Sequence, residues 1–552
     1  MSKITRGADL IVRCLETASV QYVFGLPGEE ILDLVDALHD SPIEFVMTRH
    51  EQGAAFMADI YGRLTGKVGV CIATLGPGAT NLVTGIADAY LDRAPLLAIA
   101  GQASTHRLHK ESHQVIDLAR LFESCTKYSI QVKEPETIIE IIASAITMAC
   151  SHKPGPVFIE LPENIAAAEV EIPKLASQET VTPALAADSS INAAHEALLK
   201  ARKPLVLIGN GALRNKAADE VASFITITGA PFTTTFMAKG VVSDEHPLRL
   251  STTGLSEKEY TACGFNQADL VITIGYDLVE FDPGQWHRDP HQKIIHIDTT
   301  PAEIDQNYKP GISIVGDIAN SLARLVSALK IVAHPPARDW SASLRDSIQQ
   351  YESELTTCND FPIKPQRLLH DLRQVMDKDD ILISDVGAHK VWIAHQWQSL
   401  SPNSCIISNG LAAMGIGLPG AIAAKLAFPE RTVVAATGDA GFMMNAQELE
   451  TALRLKLALV VLVWNDGGYG LIEWHQQQRF GRTNDVTFGN PDFVSFAQSF
   501  GAKGFRVKRA EDLEATLRQA TSCGTVAVVD CPVDYTENMR LTERLGNLTC
   551  TN

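Results

Sequence analysis

The sequence predicts an α/β protein made of three doubly wound parallel-sheet domains. Two observations carry that prediction. Short, continuous, β-branched apolar runs alternate with segments of helical period almost throughout the chain. Such runs suit strands buried on both faces of a parallel sheet, with helices as the crossovers. Two stretches without a sustained period then divide the 552 residues into thirds of similar size. A chain of this length holds about three or four domains.

Each third has its own strands. The first contains Val70–Thr74, Leu96–Ala100 and Val157–Leu161. The second contains Leu205–Ile208, Leu270–Ile274 and Ile294–Ile297. The last contains Ile381–Ile383, Thr432–Ala436 and Leu459–Trp464, with a helical segment from Gln447 to Leu457 that sets Leu449, Ala452 and Leu453 on one face. The expected linkers are 164–190, which mixes Pro, Ser, Thr and Ala, and 333–365, which is Pro-rich at both ends with room for a short polar helix between. The expected domains are therefore 1–165, 190–332 and 365–540. No short-period repeat of the solenoid kind is present.

Composition narrows the function. The formal charge is −18, so the chain lacks the basic face that nucleic-acid binding needs. The 45% hydrophobic content excludes disorder. No apolar stretch is long enough to span a membrane, and residues 1–13 carry no apolar signal core. A cytoplasmic protein is expected. The ten cysteines are scattered without a CxxC pair, which argues against a zinc site or a disulfide framework and for reduced thiols.

The most specific chemistry lies in the last third. One apolar run ends in Thr437-Gly438-Asp439-Ala440-Gly441 and the next in Asn465-Asp466-Gly467-Gly468-Tyr469. Asp439 and Asp466 are 27 residues apart, one helix-plus-strand crossover. In a parallel sheet that spacing brings both to the carboxyl edge, where such folds bind ligands. Two carboxylates and a nearby carbonyl suit Mg²⁺, which takes its remaining ligands from phosphate and water. Glycines beside them allow a diphosphate to approach the backbone. Each turn alone is weak, and the pair together favours a site. The first third adds Thr48-Arg49-His50-Glu51-Gln52-Gly53-Ala54, which is not the HExxH zinc motif because residue 54 is Ala. Glycine-bearing turns flank it at Phe24–Gly28 and Gly76–Asn81. Gly209-Asn210-Gly211 resembles a nucleotide turn, although a lone GxG is more often structural.

These motifs, in this order, resemble the thiamine diphosphate-dependent decarboxylase and carboligase family, most closely the catabolic, FAD-independent acetolactate synthases. The family's metal motif pairs GDG with a downstream NN; here it reads Gly438-Asp439-Ala440 and Asn465-Asp466. Gly62–Gly66, Asn409–Gly415 and Glu448–Ala452 extend the resemblance over nearly the whole chain. The resemblance names the three domains pyrimidine-binding, central and diphosphate-binding. It implies thiamine diphosphate and Mg²⁺ as cofactors, with Asp439, Asp466 and the Gly468 carbonyl as metal ligands. Glu51 matches the activating acid that bonds N1′ of the aminopyrimidine. Met414 matches the apolar residue that holds the cofactor bent. Gly387, His389, Gly438 and Ala440 fall at the diphosphate, and Gly28, Pro77, Asn81, Gly410, Tyr469 and Ile472 at the rest of the cofactor. A homodimer or homotetramer with its active site at the subunit interface is implied as well.

The resemblance also implies the reaction: decarboxylation of pyruvate and condensation of the remaining two-carbon unit with a second pyruvate to give 2-acetolactate. His113 and Gln114 match the catabolic His-Gln pair at the active-site entrance. FAD is not expected, because the Arg-Phe-Asp-Asp-Arg run of the flavin-containing members is absent from Tyr276–Pro283. Two departures are present. Glu29-Glu30 stand where small and basic residues are usual. His475 takes the acceptor-facing position that catabolic members give to Gln, which bears most on the second substrate. The alternatives are a plain 2-oxoacid decarboxylase, a carboligase with another acceptor, and a non-catalytic homologue; retention of Glu51, Asp439 and Asp466 speaks against the last.

Overall fold

The computed structural model describes residues 4–171, 183–255, 260–287, 289, 291–331 and 340–538. Parts of both expected linkers, 172–182 and 333–339, and residues 539–540 of the last expected domain lie outside the described residues.

The chain divides into two compact units. The first gathers residues 1–182, 410–430 and 444–457. Its six-stranded sheet is ordered Glu44–Met47, Tyr22–Gly25, Gly69–Ala73, Leu96–Gln102, Pro156–Pro162, Tyr128–Gln131, and every pairing is parallel. Numbered by chain order, this is 2-1-3-4-6-5. Gly69–Ala73, Leu96–Gln102 and Pro156–Pro162 are buried along their whole length, as strands with helices on both faces must be. Helices Glu51–Thr65 and Pro77–Leu91 pack on each other, and Gly417–Ala427 packs on the first of them. A small antiparallel ladder joins Ile4–Arg6 to Glu169–Glu171. The first linker is therefore shorter than the sequence suggests: Glu163–Ala167 is helical, and Val170 is buried between two exposed glutamates.

The second unit holds two parallel six-stranded sheets. In the central one, strands Pro204–Ile208, Phe232–Thr235, Arg249–Thr253, Leu270–Ile274, Lys293–Asp298 and Ile312–Val315 take the order 3-2-1-4-5-6. In the other, strands Ile381–Ser384, Cys405–Ile407, Val433–Gly438, Val460–Asn465, Lys503–Arg506 and Ala527–Pro532 take the order 2-1-3-4-6-5, the same as in the first unit. The expected helix at 447–457 spans Glu448–Arg454, and the short polar helix expected in the second linker is Ala342–Ser353. Reversal of strand order marks a switch point, where the loops after two adjacent strands diverge and leave a crevice. Each of the three sheets has one.

No helix among the described residues is long and apolar enough to cross a membrane. Among the described residues, eight cysteines are free thiols and Cys263 is disulfide-bonded, which corrects the expectation of reduced thiols at that position.

The Glu51–Thr65 helix lies so close on its sheet that a Cβ at Gly69 would sit 1.9 Å from the Ala58 carbonyl oxygen. Backbone meets backbone there, so the clash cannot relax through a side chain. Gly69→Ala is expected to cost about 3 kcal/mol or more. Gly311→Ala, where a Cβ meets nothing within 4 Å, should stay within about 0.5 kcal/mol of the parent. Thermal midpoints of the two variants check this.

Candidate active site

At the switch point of the 381–532 sheet, strands Ile381–Ser384 and Val433–Gly438 are neighbours, and Gly438 pairs with Trp464 of Val460–Asn465. The register sets the residues that follow these strands side by side. Asp439 is buried and opens helix Asp439–Asn445. Its carboxylate accepts from Ala440 N, Gly467 N and Asn490 Nδ2, each at 2.7 Å. Burial pushes its pKa above the usual carboxylate value, against the pull of these donors. Asp466 is pushed up to about 7, first by desolvation and then by the charge of Asp439. A Cβ at Gly470 would lie 2.6 Å from Asp466 Oδ2, so a larger residue there would push that carboxylate aside.

Two acids that repel each other beside a sheet edge fit a cation. No group of three His, Cys, Asp or Glu side chains among the described residues forms a metal cage. The set of two carboxylates and the Gly468 carbonyl fits Mg²⁺, which keeps water and phosphate as its other ligands. His389 lies beside the same edge. A Cβ at Gly387 would come within 2.9 Å of its ring, and one at Gly438 within 3.4 Å. Burial drives the His389 pKa down to about 3, so the ring is neutral, and its Nε2 has no hydrogen-bond partner. An orphaned buried nitrogen beside two acids fits an anionic ligand carried in with the cation.

The segment after Gly468 is helical over Gly470–Phe480, which sets Leu471 and His475 one turn apart. Tyr469 packs edge-on against Phe488, and Ile472 is 49% exposed. His475 is exposed and stacks on Trp474. A cavity of about 540 Å³ lies beside Asp466, lined by Gly470, Glu473, Trp474, Gln477 and Tyr535 but not by His475.

In the first unit the switch point lies between Tyr22–Gly25 and Gly69–Ala73. Glu51 opens its helix and is only 6% exposed. Asn81 Nδ2 donates to Glu51 Oε2 at 2.9 Å. Pro77 is the first residue of the helix that carries Asn81. A Cβ at Gly78 would lie 3.3 Å from Glu51 Oε1 and 2.7 Å from Thr74, and one at Gly28 would strike Thr74 at 2.4 Å. Gly28, Thr74, Gly78, Glu51 and Asn81 thus form one neighbourhood. Gln114 joins it, since a Cβ at Gly76 would be 2.9 Å from the Gln114 Cβ. Gln114 has φ 59, follows exposed His113, and belongs to the turn closed by Val115 N donating to the Ser112 carbonyl. Gly410 and Met414 belong to this unit too: Gly410 N donates to Asp92 Oδ1 at 2.6 Å.

The central sheet's switch point holds the Gly209-Asn210-Gly211 turn. Here the protein supplies its own anion. Asn210 N donates to both oxygens of Glu280, at 3.1 and 3.0 Å, and Asp277 N and the Thr235 hydroxyl donate to the same carboxylate. Burial pushes Glu280 up to about 7. The donor that would meet a nucleotide phosphate in such a fold is spent on Glu280.

The sequence-predicted residues therefore fall into two groups. Gly387, His389, Gly438, Asp439, Ala440, Asp466, Gly468, Tyr469, Ile472 and His475 belong to the second unit, and the others to the first. Sequence reasoning missed Asn490, which sits in a loop with no local motif. It also missed the role of Glu448, which was visible only as part of a motif. The Glu448 carboxylate accepts from Arg49 N at 3.0 Å and His50 N at 3.1 Å, and so fixes the start of the Glu51 helix.

Three thiamine pyrophosphate enzyme models match the chain: the N-terminal TPP-binding domain at residues 5–121, the central domain at 191–325 and the C-terminal TPP-binding domain at 385–531. The chain is 36% identical over 538 residues to the acetolactate synthase of Bacillus subtilis (strain 168), covering 97% of this chain and 94% of that protein. It is 35% identical to a catabolic acetolactate synthase of Raoultella terrigena, covering 98% and 97%. It is 34% identical to the acetolactate synthase isozyme 2 large subunit of Escherichia coli (strain K12), covering 97% and 96%. With all three domain models in order and full-length likeness of this degree, the chain belongs to the thiamine pyrophosphate enzyme family, on the branch that includes the acetolactate synthases.

Proposed function

We propose that this protein is an acetolactate synthase that uses thiamine diphosphate and Mg²⁺, works without FAD, and converts two pyruvates to 2-acetolactate and CO₂. The observation that carries the reading is a pair of chemically different half-sites at equivalent switch points. One presents a buried acid, Glu51, and the other a pair of repelling carboxylates, Asp439 and Asp466. Full-length likeness to proteins named acetolactate synthase supports the same reading. The carboxylate of Glu280 in the central turn supports a chain that needs no flavin.

Thiamine diphosphate, when bound, supplies a nucleophilic carbon and an electron sink for loss of CO₂ from a 2-oxoacid. The chain's own residues do the rest. Asp439, Asp466 and the Gly468 carbonyl hold Mg²⁺, while Gly387, His389, Gly438 and Ala440 receive the diphosphate. Glu51, which accepts from Asn81, would exchange a proton with the ring nitrogen N1′ of the aminopyrimidine. Gly28, Pro77, Gly410 and Met414 frame that ring. Tyr469 and Ile472 meet the rest of the cofactor, His113 and Gln114 meet the 2-oxoacid at the entrance, and His475 lines the approach of the second one. A homodimer or homotetramer with its active site at the subunit interface is the working form.

The deciding experiment supplies pyruvate, thiamine diphosphate and Mg²⁺, then measures acetolactate (as acetoin after acid) and acetaldehyde separately. Acetolactate as the main product supports the reading. Acetaldehyde without acetolactate makes the protein a 2-oxoacid decarboxylase and overturns it.

Removing one metal carboxylate tests the metal assignment. Thiamine diphosphate with Mg²⁺ at 100 times its Kd should stabilise the parent by about 2.7 kcal/mol. Asp439→Ala should lose that increment along with turnover; normal affinity in this variant refutes the metal site. Glu51→Gln should bind the cofactor yet lower turnover by about 10² or more. An unchanged rate of cofactor C2–H exchange, followed by NMR, would make Glu51 structural. His475→Gln should change the ratio of acetolactate to aldehyde with little effect on cofactor binding. A ratio identical to the parent's across pH would place His475 outside the acceptor site.

A further inference from the structure

The helices Glu51–Thr65 and Pro77–Leu91 run side by side and both begin at the carboxyl edge of the same parallel sheet. A Cβ at Gly85 would lie 2.5 Å from the Ala55 Cβ, so the two helices touch almost backbone to backbone. Short polar side chains can therefore meet across the seam. They do so at three levels. Glu51 meets Asn81 at the first. Asp59 meets Asp88 at the second, two turns on. Arg63 pairs with Asp92 at 2.9 Å at the third, one turn further.

Only the first level belongs to the site described above. The other two are fully buried: Asp59, Asp88 and Asp92 are each 0% exposed. Their carboxylates also leave the seam. Asp92 Oδ1 accepts from Gly410 N at 2.6 Å, and Asp88 Oδ1 accepts from Ala413 N at 3.3 Å. Between those two bonds Ala412 takes φ 58, a left-handed conformation that costs a non-glycine residue energy and persists only when its surroundings impose it. Asn445 Nδ2 donates to the Gly415 carbonyl at 2.9 Å and secures the far side. Met414 stands between these anchors.

Asp59 differs from its neighbours. Neither of its carboxyl oxygens receives a donor. An ionised carboxylate buried without donors is very costly, and a buried acid in that position takes up a proton instead. Desolvation and the adjacent Asp88 charge both hold Asp59 well above the usual carboxylate range, against the opposing pull of Arg63, with Asp92 adding to the rise.

We propose that Asp59, Asp88 and Asp92 are positioning residues that fix the Gly410–Met414 turn, with Asp59 acting as a neutral acid that donates to Asp88 and so aims the Asp88 carboxylate at Ala413 N. This rests on the proposed function only in giving the turn its purpose, which is to hold Met414 under the cofactor. Asp59→Asn keeps a donor toward Asp88 and removes the carboxyl; Asp59→Leu keeps the size and removes the donor.

The first readout uses cofactor-free protein: amide hydrogen exchange of the segment 408–416. Protection should match the parent in Asp59→Asn and fall about tenfold or more in Asp59→Leu, as local opening becomes easier. The second is C2–H exchange of thiamine diphosphate at saturation, expected near the parental rate in Asp59→Asn and about tenfold or more slower in Asp59→Leu. Equal damage in both variants would mean that Asp59 works as an anion, and overturns the proposal. Parental protection in Asp59→Leu overturns it too. If Asp59→Leu does not fold, infrared spectra at pH 8 decide. A protonated-carboxyl stretch present in the parent and lost in Asp59→Asn supports the proposal, and its absence from the parent refutes it. A parent that binds no thiamine diphosphate would sink the proposed function, while amide protection in the cofactor-free protein would still judge the role of the carboxyls.

Discussion

A parallel strand covered on both faces can carry chemistry only at its ends. Val460–Asn465 and Val433–Gly438 are apolar and buried until their last residues, so polar side chains have nowhere to stand except the loops beyond. That constraint places Asp439 and Asp466 next to each other, because their strands are neighbours in register. It also places Gly28 and Thr74 together in the first unit, since the strands before them pair. In the central sheet it brings the Asn210 turn to the loop carrying Glu280.

What each switch point does is then set by its acids. Asp439 is held by three donors and sits beside a second acid, which leaves a demand for positive charge. Glu280 takes its donors from the surrounding turn and side chains and so closes its own crevice. Glu448 accepts from the backbone at Arg49 and His50, and the helix that begins with Glu51 starts where that carboxylate places it. Each burial is costly, and each is offset by backbone donors whose positions become fixed in return. Rigidity at the Glu51 end of the site is bought with Glu448.

The compact units do not follow the order of the chain. Residues 410–430 and 444–457 lie in sequence among the strands of the last sheet, yet they join the first unit. Gly417–Ala427 packs on the Glu51 helix, and the Gly410–Met414 turn is bound by the carboxylates of Asp92 and Asp88. The helix that presents Glu51 therefore belongs to the same packed body as the turn that presents Met414. Errors in helix packing would reach both.

Local pattern determined a good deal. The apolar runs at 70–74, 270–274 and 459–464 became strands within a residue or two of the expected ends, because burial on both faces demands an unbroken apolar run and the chain stops it abruptly. Glycine beside acid at the end of such a run located Gly438-Asp439 and Asn465-Asp466. The strand orders were not legible, because periodicity reports that a residue is buried and not against what. The shared order 2-1-3-4-6-5 of two sheets leaves no trace as a sequence repeat. Nor could the sequence tell that Asn490 reaches Asp439 across 51 residues, or that Glu280 fills the Asn210 turn. Nothing local in the sequence sets Asp59 against Asp88; the close approach of Gly85 to Ala55 puts them face to face. Those pairings depend on the distance between helices and strands, and that distance is decided by tertiary packing.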